Sequence, residues 1–185
     1  MALVPSTMPE LGIPAPSFSL PDTNGKLVSL DDFAGAPALL VVFWCSHCPY
    51  VRHIREAFVS FAQEYQAKQA AIVAISSNDT VSHPQDGPEA MRADVEEFGY
   101  TFPYLHDDSQ DVARDYQAAC TPDFFLYDAD RLLAYRGRFD AATPGNDVPV
   151  TGNDLRAAMD TVLAGQQPKA EQMPGIGCNI KWRTE

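Results

Sequence analysis

The chain has 185 residues and a formal net charge of −12, since 25 acidic side chains outnumber 13 basic ones. This length suits one domain, and an apolar content of 45% is sufficient for a buried core. The acidic balance argues against nucleic acid or an anionic membrane as a partner, because phosphate binding depends on Lys and Arg. The apolar run 38–44 is far shorter than the about 20 residues that span a bilayer. No secretory signal is recognisable, so a cytoplasmic protein is expected, or a periplasmic one if a signal was removed.

One domain over residues 1–185 is expected, because no repeat, low-complexity tract or linker interrupts the chain. Four prolines predict that residues 1–16 form an extended arm. Apolar residues on both sides of Asn24-Gly25 predict a hairpin. The uninterrupted apolar run 38–44 predicts a strand that is buried on both faces.

A helix is predicted after this strand, because apolar side chains recur every three or four residues at Val51, Ile54, Phe58, Phe61 and Tyr65. A second buried strand is predicted at 70–75. The later elements are a helix through Met91, Val95 and Phe98, a short segment at 102–105, a helix capped by Ser109, a hairpin of 124–127 with 132–138, and a helix over 155–163. Residues 166–185 are expected to form an irregular tail. The alternation predicts an α/β fold with a mixed central sheet and helices on both faces.

The segment Cys45-Ser46-His47-Cys48 lies where the buried strand ends and the helix is predicted to begin. A cysteine at a helix N-terminus faces unpaired backbone N–H groups, which favour the thiolate. We therefore expect Cys45, at or just before the helix start, to be the attacking sulfur. Cys48, one turn deeper, would resolve the mixed disulfide and release the reduced partner.

A CxxC pair can also be half of a zinc site, but structural zinc takes four ligands, usually from a second such pair. The remaining cysteines and the four histidines are not spaced in that way, so thiol chemistry is favoured and no metal is expected. His47, as imidazolium, would stabilise a neighbouring thiolate. A solvated His47 without any effect on the pair is the alternative.

Trp44-Cys45-x-x-Cys48 before a helix, with Thr121-Pro122 before a hairpin, resembles the thioredoxin superfamily. The segments CSHCPYV, SNDTVSHP and IGCNIKW resemble its AhpC/TSA and TlpA-like redoxin branch, and the resemblance covers roughly residues 10–183. It implies a thioredoxin-like fold with an N-terminal hairpin extension, and a redox-active pair that needs no cofactor.

The resemblance also assigns a substrate groove beside the cysteine pair. It implies that Pro122 is cis and faces the pair, and that Thr121 offers backbone groups to an extended substrate. Trp44, His47 and Pro49 would line this groove or tune the pair.

Three positions depart from the patterns of two related families. Leu39 lies six residues before Cys45, where thioredoxins carry an acidic proton acceptor. Aligned on Cys48, the Pro and Thr of the peroxiredoxin pattern P-x-x-x-T-x-x-C are replaced by Val41 and Cys45, which disfavours the usual peroxidase.

The sequence therefore predicts a thiol–disulfide oxidoreductase that acts on protein or small-molecule disulfides and is recycled by a reducing system. An antioxidant thiol peroxidase is the first alternative, and a metal- or copper-binding module that uses Cys45, Cys48 and a histidine is the second. Cys120 is a candidate extra redox thiol, but a packing role is favoured because free cysteines are commonly buried. Cys178 is also expected to be a packing residue, and contact with the active site is its less favoured alternative.

Overall fold

The computed structural model describes residues 2–184 as ten strands and four α-helices. The strands are β1 (Leu3–Pro5), β2 (Ser19–Pro21), β3 (Leu27–Ser29), β4 (Leu39–Phe43), β5 (Ala71–Ser76), β6 (Tyr104–His106), β7 (Cys120–Thr121), β8 (Asp123–Tyr127), β9 (Leu133–Gly137) and β10 (Ile176–Asn179). The helices are α1 (Pro49–Gln66), α2 (Pro88–Phe98), α3 (Asp111–Asp115) and α4 (Asn153–Leu163). Within these residues, we find no helix with both the length and the apolar character that crossing a membrane requires.

β4 lies at the centre of a five-stranded sheet with the order β6-β5-β4-β8-β9. It pairs in parallel with β5 and antiparallel with β8, so the predicted mixed sheet is confirmed. β8 and β9 form the predicted antiparallel hairpin, and β2 and β3 form the predicted hairpin near the N-terminus. All five residues of β4 are buried, because both faces of the sheet are covered.

The side chains of β4 alternate between two apolar cores. Leu40 and Val42 pack with buried residues of α1, α2 and α4. Leu39, Val41 and Phe43 point to the other face, where they pack with α3 and the β2–β3 hairpin. Helices therefore cover both faces, as predicted.

The N-terminal arm and the C-terminal tail meet in a second sheet with the order β1-β10-β7. Cys178 is opposite Leu3 on one side and opposite Thr121 on the other. The prediction of a wholly irregular tail is therefore wrong at β10, and the arm is extended but also paired. A four-residue strand with the sequence Ile-Gly-Cys-Asn has no alternating pattern, and both of its partners are distant in sequence.

Gly177 allows β10 to approach β7 closely. A Cβ atom added at Gly177 would lie 2.2 Å from the carbonyl oxygen of Thr121 and 2.7 Å from its carbonyl carbon. These are backbone atoms, so they cannot rotate away as a flexible side chain would. Only glycine at this position permits the observed spacing of the two strands.

We expect Gly177→Ala to lower the free energy of unfolding by at least about 2 kcal/mol, because β10 must move away from Thr121. Gly25→Ala is the matched control, since Gly25 has φ +81° and open space around its Cα. That control should cost only about 1 kcal/mol, from its left-handed backbone alone. Urea unfolding of both variants tests this, and equal losses would contradict the steric argument.

Candidate redox site

The cysteine pair lies in the short loop between β4 and α1. α1 begins at Pro49, and Cys48 is its N-cap residue. The prediction placed Cys45 at or just before the helix start and Cys48 one turn deeper, but Cys48 lies at the helix start and Cys45 lies farther upstream. The reason is Pro49, whose fixed φ and missing N–H suit the first position of a helix. Cys45 lies upstream in the loop and is 1% exposed, and Cys48 is fully buried.

Thr121 contacts both sulfurs through different groups. Its hydroxyl oxygen is 3.2 Å from Cys45 Sγ, and its carbonyl oxygen accepts a hydrogen bond from Cys48 Sγ at 3.1 Å. The peptide bond between Thr121 and Pro122 is cis, which confirms that expectation. Thr121 therefore contacts both sulfurs of the pair.

Most of the contacts around the two sulfurs favour a state in which Cys45 keeps its proton and shares it in a hydrogen bond with a Cys48 thiolate. A hydrogen bond from Cys45 lowers the pKa of Cys48 to about 5, against the effect of burial and with help from Cys178 and the start of α1. The pKa of Cys45 is raised well above its usual value, because it donates to Cys48, is buried and lies near the negative charge of Asp86. Thr121 favours the opposite arrangement, in which Cys45 accepts from its hydroxyl and Cys48 donates to its carbonyl.

Asp86, which the sequence analysis missed, fixes the loop of the pair. Its buried carboxylate accepts hydrogen bonds from the backbone N–H groups of Ser46 (3.1 Å) and His47 (3.3 Å), and from Asn78 Nδ2 (2.8 Å). The two backbone groups bond to Asp86 Oδ1. Asn78 Nδ2 and His47 Nδ1, the latter at 2.5 Å, contact Asp86 Oδ2. One signal was available: Asp86 lies in the loop after β5, and the loops after the parallel neighbours β4 and β5 meet at one edge of the sheet.

His47 is held on two sides. Its ring stacks on His83 with 5.6 Å between the ring centroids, and it contacts Asp86 as described. Ligand atoms of Cys45, His47 and Asp86 all lie within 4.8 Å of one another, so these residues could hold a metal ion. The metal-binding alternative therefore has a ligand set of Cys45, His47 and Asp86, in which Asp86 replaces the predicted Cys48.

Of the other predicted groove residues, Trp44 lies in the core and Pro49 lies on the surface. Trp44 is fully buried, packs against Phe58 and donates from Nε1 to the hydroxyl of Tyr100, so it supports the loop from the core and does not line a groove. Pro49 is exposed at the start of α1. A surface groove runs beside Pro122, lined among others by Tyr50, Phe124, Arg138 and Ile176.

The two remaining cysteines differ in their surroundings. Cys178 Sγ lies only 2.9 Å from Cys48 Sγ, so the less favoured alternative, contact with the site, is what the structure shows. Cys120 Sγ lies 3.6 Å from the carbonyl oxygen of Pro122, and burial raises its pKa far above the usual range. Cys120 therefore has the environment of a packing residue, as expected, and Cys178 does not.

Residues 11–136 match the model of the AhpC/TSA family. A solved structure of a hypothetical protein from Sinorhizobium meliloti is 51% identical, with 98% of this chain and 99% of that chain covered and a TM-score of 0.96. The thioredoxin domain of a thiol-disulfide oxidoreductase from Bacteroides vulgatus is 20% identical, with 80% and 96% covered and a TM-score of 0.60. This likeness confirms the thioredoxin-like fold.

Two curated relatives represent two kinds of thiol chemistry. The chain is 27% identical to the thiol-disulfide oxidoreductase ResA of Bacillus thuringiensis over 127 residues, which cover 65% of each protein. It is 28% identical to peroxiredoxin Q of Triticum aestivum over 101 residues, which cover 55% of this chain and 43% of the relative. The chain thus spans less than two thirds of the length of these relatives.

We expect Asp86→Asn to lower the pKa of Cys45, because it removes a nearby negative charge that disfavours the thiolate. In a Cys48→Ser background, the pH midpoint of Cys45 alkylation should move down by about one pH unit. The free energy of unfolding should also fall by about 3 kcal/mol, because an amide cannot accept all the hydrogen bonds of the carboxylate.

Asp94→Asn is the matched control for this measurement. Asp94 is also a buried carboxylate near this loop, where it pairs with Arg55, but Asp86 is the carboxylate whose charge raises the pKa of Cys45. Its replacement should leave the midpoint of Cys45 alkylation in place. An unchanged midpoint in Asp86→Asn would contradict the prediction. It would show that the positive charge of His47 cancels the effect of the Asp86 charge on Cys45.

Proposed function

The chain belongs to the AhpC/TSA family, and from that premise we propose that it is a thiol–disulfide oxidoreductase that reacts through Cys45 and Cys48. The observation that carries the proposal is a pair of buried free thiols at a strand-to-helix junction, both of which contact Thr121. The name of the ResA relatives supports it, although the alignment covers only 65% of their length.

The reaction passes two electrons from the pair to a partner disulfide. As the partner approaches, the shared proton moves from Cys45 to Cys48, and the Thr121 hydroxyl stabilises the Cys45 thiolate. Cys45 attacks one partner sulfur, forms a mixed disulfide and releases the other sulfur as a thiolate. Cys48 then attacks Cys45 Sγ and transfers its proton to the departing partner sulfur, which leaves an internal disulfide and a fully reduced partner.

The groove beside Pro122 supports a peptide or a small disulfide as the partner. Tyr50 and Phe124 give it apolar walls, and Arg138 and Asp140 add one charged side chain of each sign. Cys45 is 1% exposed, so a partner sulfur reaches it only after the loop of Ser46 and His47 moves outward. The contacts of Asp86 with that loop therefore control access to the pair. The cytoplasmic location and the identity of the reducing system stay predictions.

Equilibration with reduced and oxidised glutathione tests the function against its alternatives. We expect the free-thiol count to fall by two along a two-electron curve, without catalytic turnover of hydrogen peroxide. Peroxide turnover would instead favour the peroxidase, which the replacement of the peroxiredoxin Pro and Thr by Val41 and Cys45 disfavours. Stoichiometric zinc or copper that blocks alkylation of Cys45 would favour the metal-binding module.

We expect Cys48→Ser to retain glutathione on Cys45 after treatment with oxidised glutathione, because the resolving sulfur is missing. Cys45→Ser should retain no adduct, and Cys120→Ser should behave as the wild type does. Mass spectrometry of unreduced tryptic peptide 27–52, which carries both sulfurs, measures the adduct. An adduct on Cys45→Ser and none on Cys48→Ser would reverse the two roles, the order that the low pKa of Cys48 favours.

A further inference from the structure

Three sulfurs meet at the site, and the Cys48 sulfur contacts both of the others. Cys48 Sγ and Cys45 Sγ both contact Thr121, and Cys48 Sγ lies 2.9 Å from Cys178 Sγ. Cys178 is 2% exposed, and its thiol is free. The mechanism above uses only two of these three sulfurs.

The fold fixes Cys178 in this position. β10 is the middle strand of its sheet, so both of its edges are hydrogen-bonded, to β1 and to β7. Cys178 is opposite Thr121, the residue that contacts Cys45 and Cys48. The absence of a side chain at Gly177 permits the close approach to Thr121. Cys178 thus reaches Cys48 through a built strand and not through a loose tail.

We propose that Cys178 is a third redox thiol, which exchanges with the Cys45–Cys48 disulfide to form a Cys48–Cys178 disulfide and free the Cys45 thiol. The inference rests on the proposed function, because that function supplies the first disulfide. In the exchange, Cys178 Sγ attacks Cys48 Sγ and the bond from Cys48 to Cys45 breaks. The proton lost by Cys178 goes to the departing Cys45 sulfur. One S–S bond forms and one breaks, so no oxidant or reductant is consumed.

The exchange is specific for Cys178 on geometric grounds. Cys178 lies against Cys48, whereas the contact of the Cys120 sulfur is with the carbonyl oxygen of Pro122. The oxidising equivalents therefore move from the Cys45–Cys48 pair to the Cys48–Cys178 pair. Cys45, the sulfur beside the loop of Ser46 and His47, becomes available for a second reaction.

Peptide mapping of the oxidised wild type tests the exchange, because trypsin cleaves after Lys and Arg. Cys45 and Cys48 share peptide 27–52, Cys178 lies on 170–181, and Cys120 lies on 115–131. The protein is oxidised with oxidised glutathione, quenched in acid, alkylated and digested without reduction. We expect a cross-linked species of 27–52 with 170–181 in which Cys45 is alkylated.

Two variants complete the design. Cys178→Ser should lose both the cross-link and the alkylation of Cys45, while peptide 27–52 keeps its internal disulfide. Cys45→Ser should still form the Cys48–Cys178 cross-link, with oxidised glutathione as the oxidant: Cys48 takes up one glutathione and Cys178 displaces it. Peptide 115–131, which carries Cys120, is the internal control and should stay uncross-linked.

The outcomes separate the two proposals. An internal 27–52 disulfide in the wild type, with no 170–181 cross-link there or in Cys45→Ser, would overturn the role of Cys178 and leave the proposed function standing. Equal cross-linking to 115–131 would also overturn it, because exchange would then be unspecific. Absence of any intrachain disulfide in the wild type would overturn the proposed function itself. The wild-type measurement needs no substitution, so a poorly folded variant cannot obscure it.

Discussion

The approach of Gly177 to the carbonyl of Thr121 is the constraint on which the site depends. Thr121 is held between β10 and the cysteine pair, and it presents its hydroxyl to Cys45 and its carbonyl to Cys48. If β10 lay farther from Thr121, Cys178 would lose its contact with Cys48. The sheet β1-β10-β7 would also lose the pairing between its middle strand and β7. The contact between Gly177 and Thr121 therefore connects strands β1 and β10 to the cysteine pair.

The second constraint acts from the other side of the pair. Asp86 accepts hydrogen bonds from two backbone groups of the loop and from the His47 ring, and such charge-assisted bonds are the strong ones. Arg55 and Arg52 also donate to the carbonyl of Ser46. The backbone N–H and the backbone carbonyl of Ser46 therefore both have hydrogen-bond partners. The loop is thus closed over Cys45 by polar contacts, which can be exchanged for water more readily than apolar packing when a partner binds.

The sequence predicts those parts of this molecule that depend on neighbouring residues. The buried strand β4 and the apolar face of α1 follow from local patterns, and so does the position of the CxxC pair between them. The start of α1 differs from the prediction, because Pro49 takes the first helical position that its fixed φ and missing N–H favour. Asp86 and Cys178 could not be found in this way, because the loop after β5 and the strand β10 reach the pair only through tertiary pairing.

Burial makes the hydrogen bonds between the sulfurs depend on the redox state. In the reduced protein, Cys48 Sγ and Cys178 Sγ form a hydrogen bond at 2.9 Å, which stabilises both groups and the negative charge favoured at Cys48 away from water. When Cys48 is oxidised, that charge disappears and Cys178 keeps only a neutral disulfide sulfur beside it. A buried polar group without a hydrogen-bond partner is destabilising, so oxidation of Cys48 makes the Cys178 thiol less stable at this position. In the reduced protein, the contact with Cys178 lowers the pKa of Cys48. In the oxidised protein, the same contact places the Cys178 sulfur, a nucleophile, against the Cys48 sulfur.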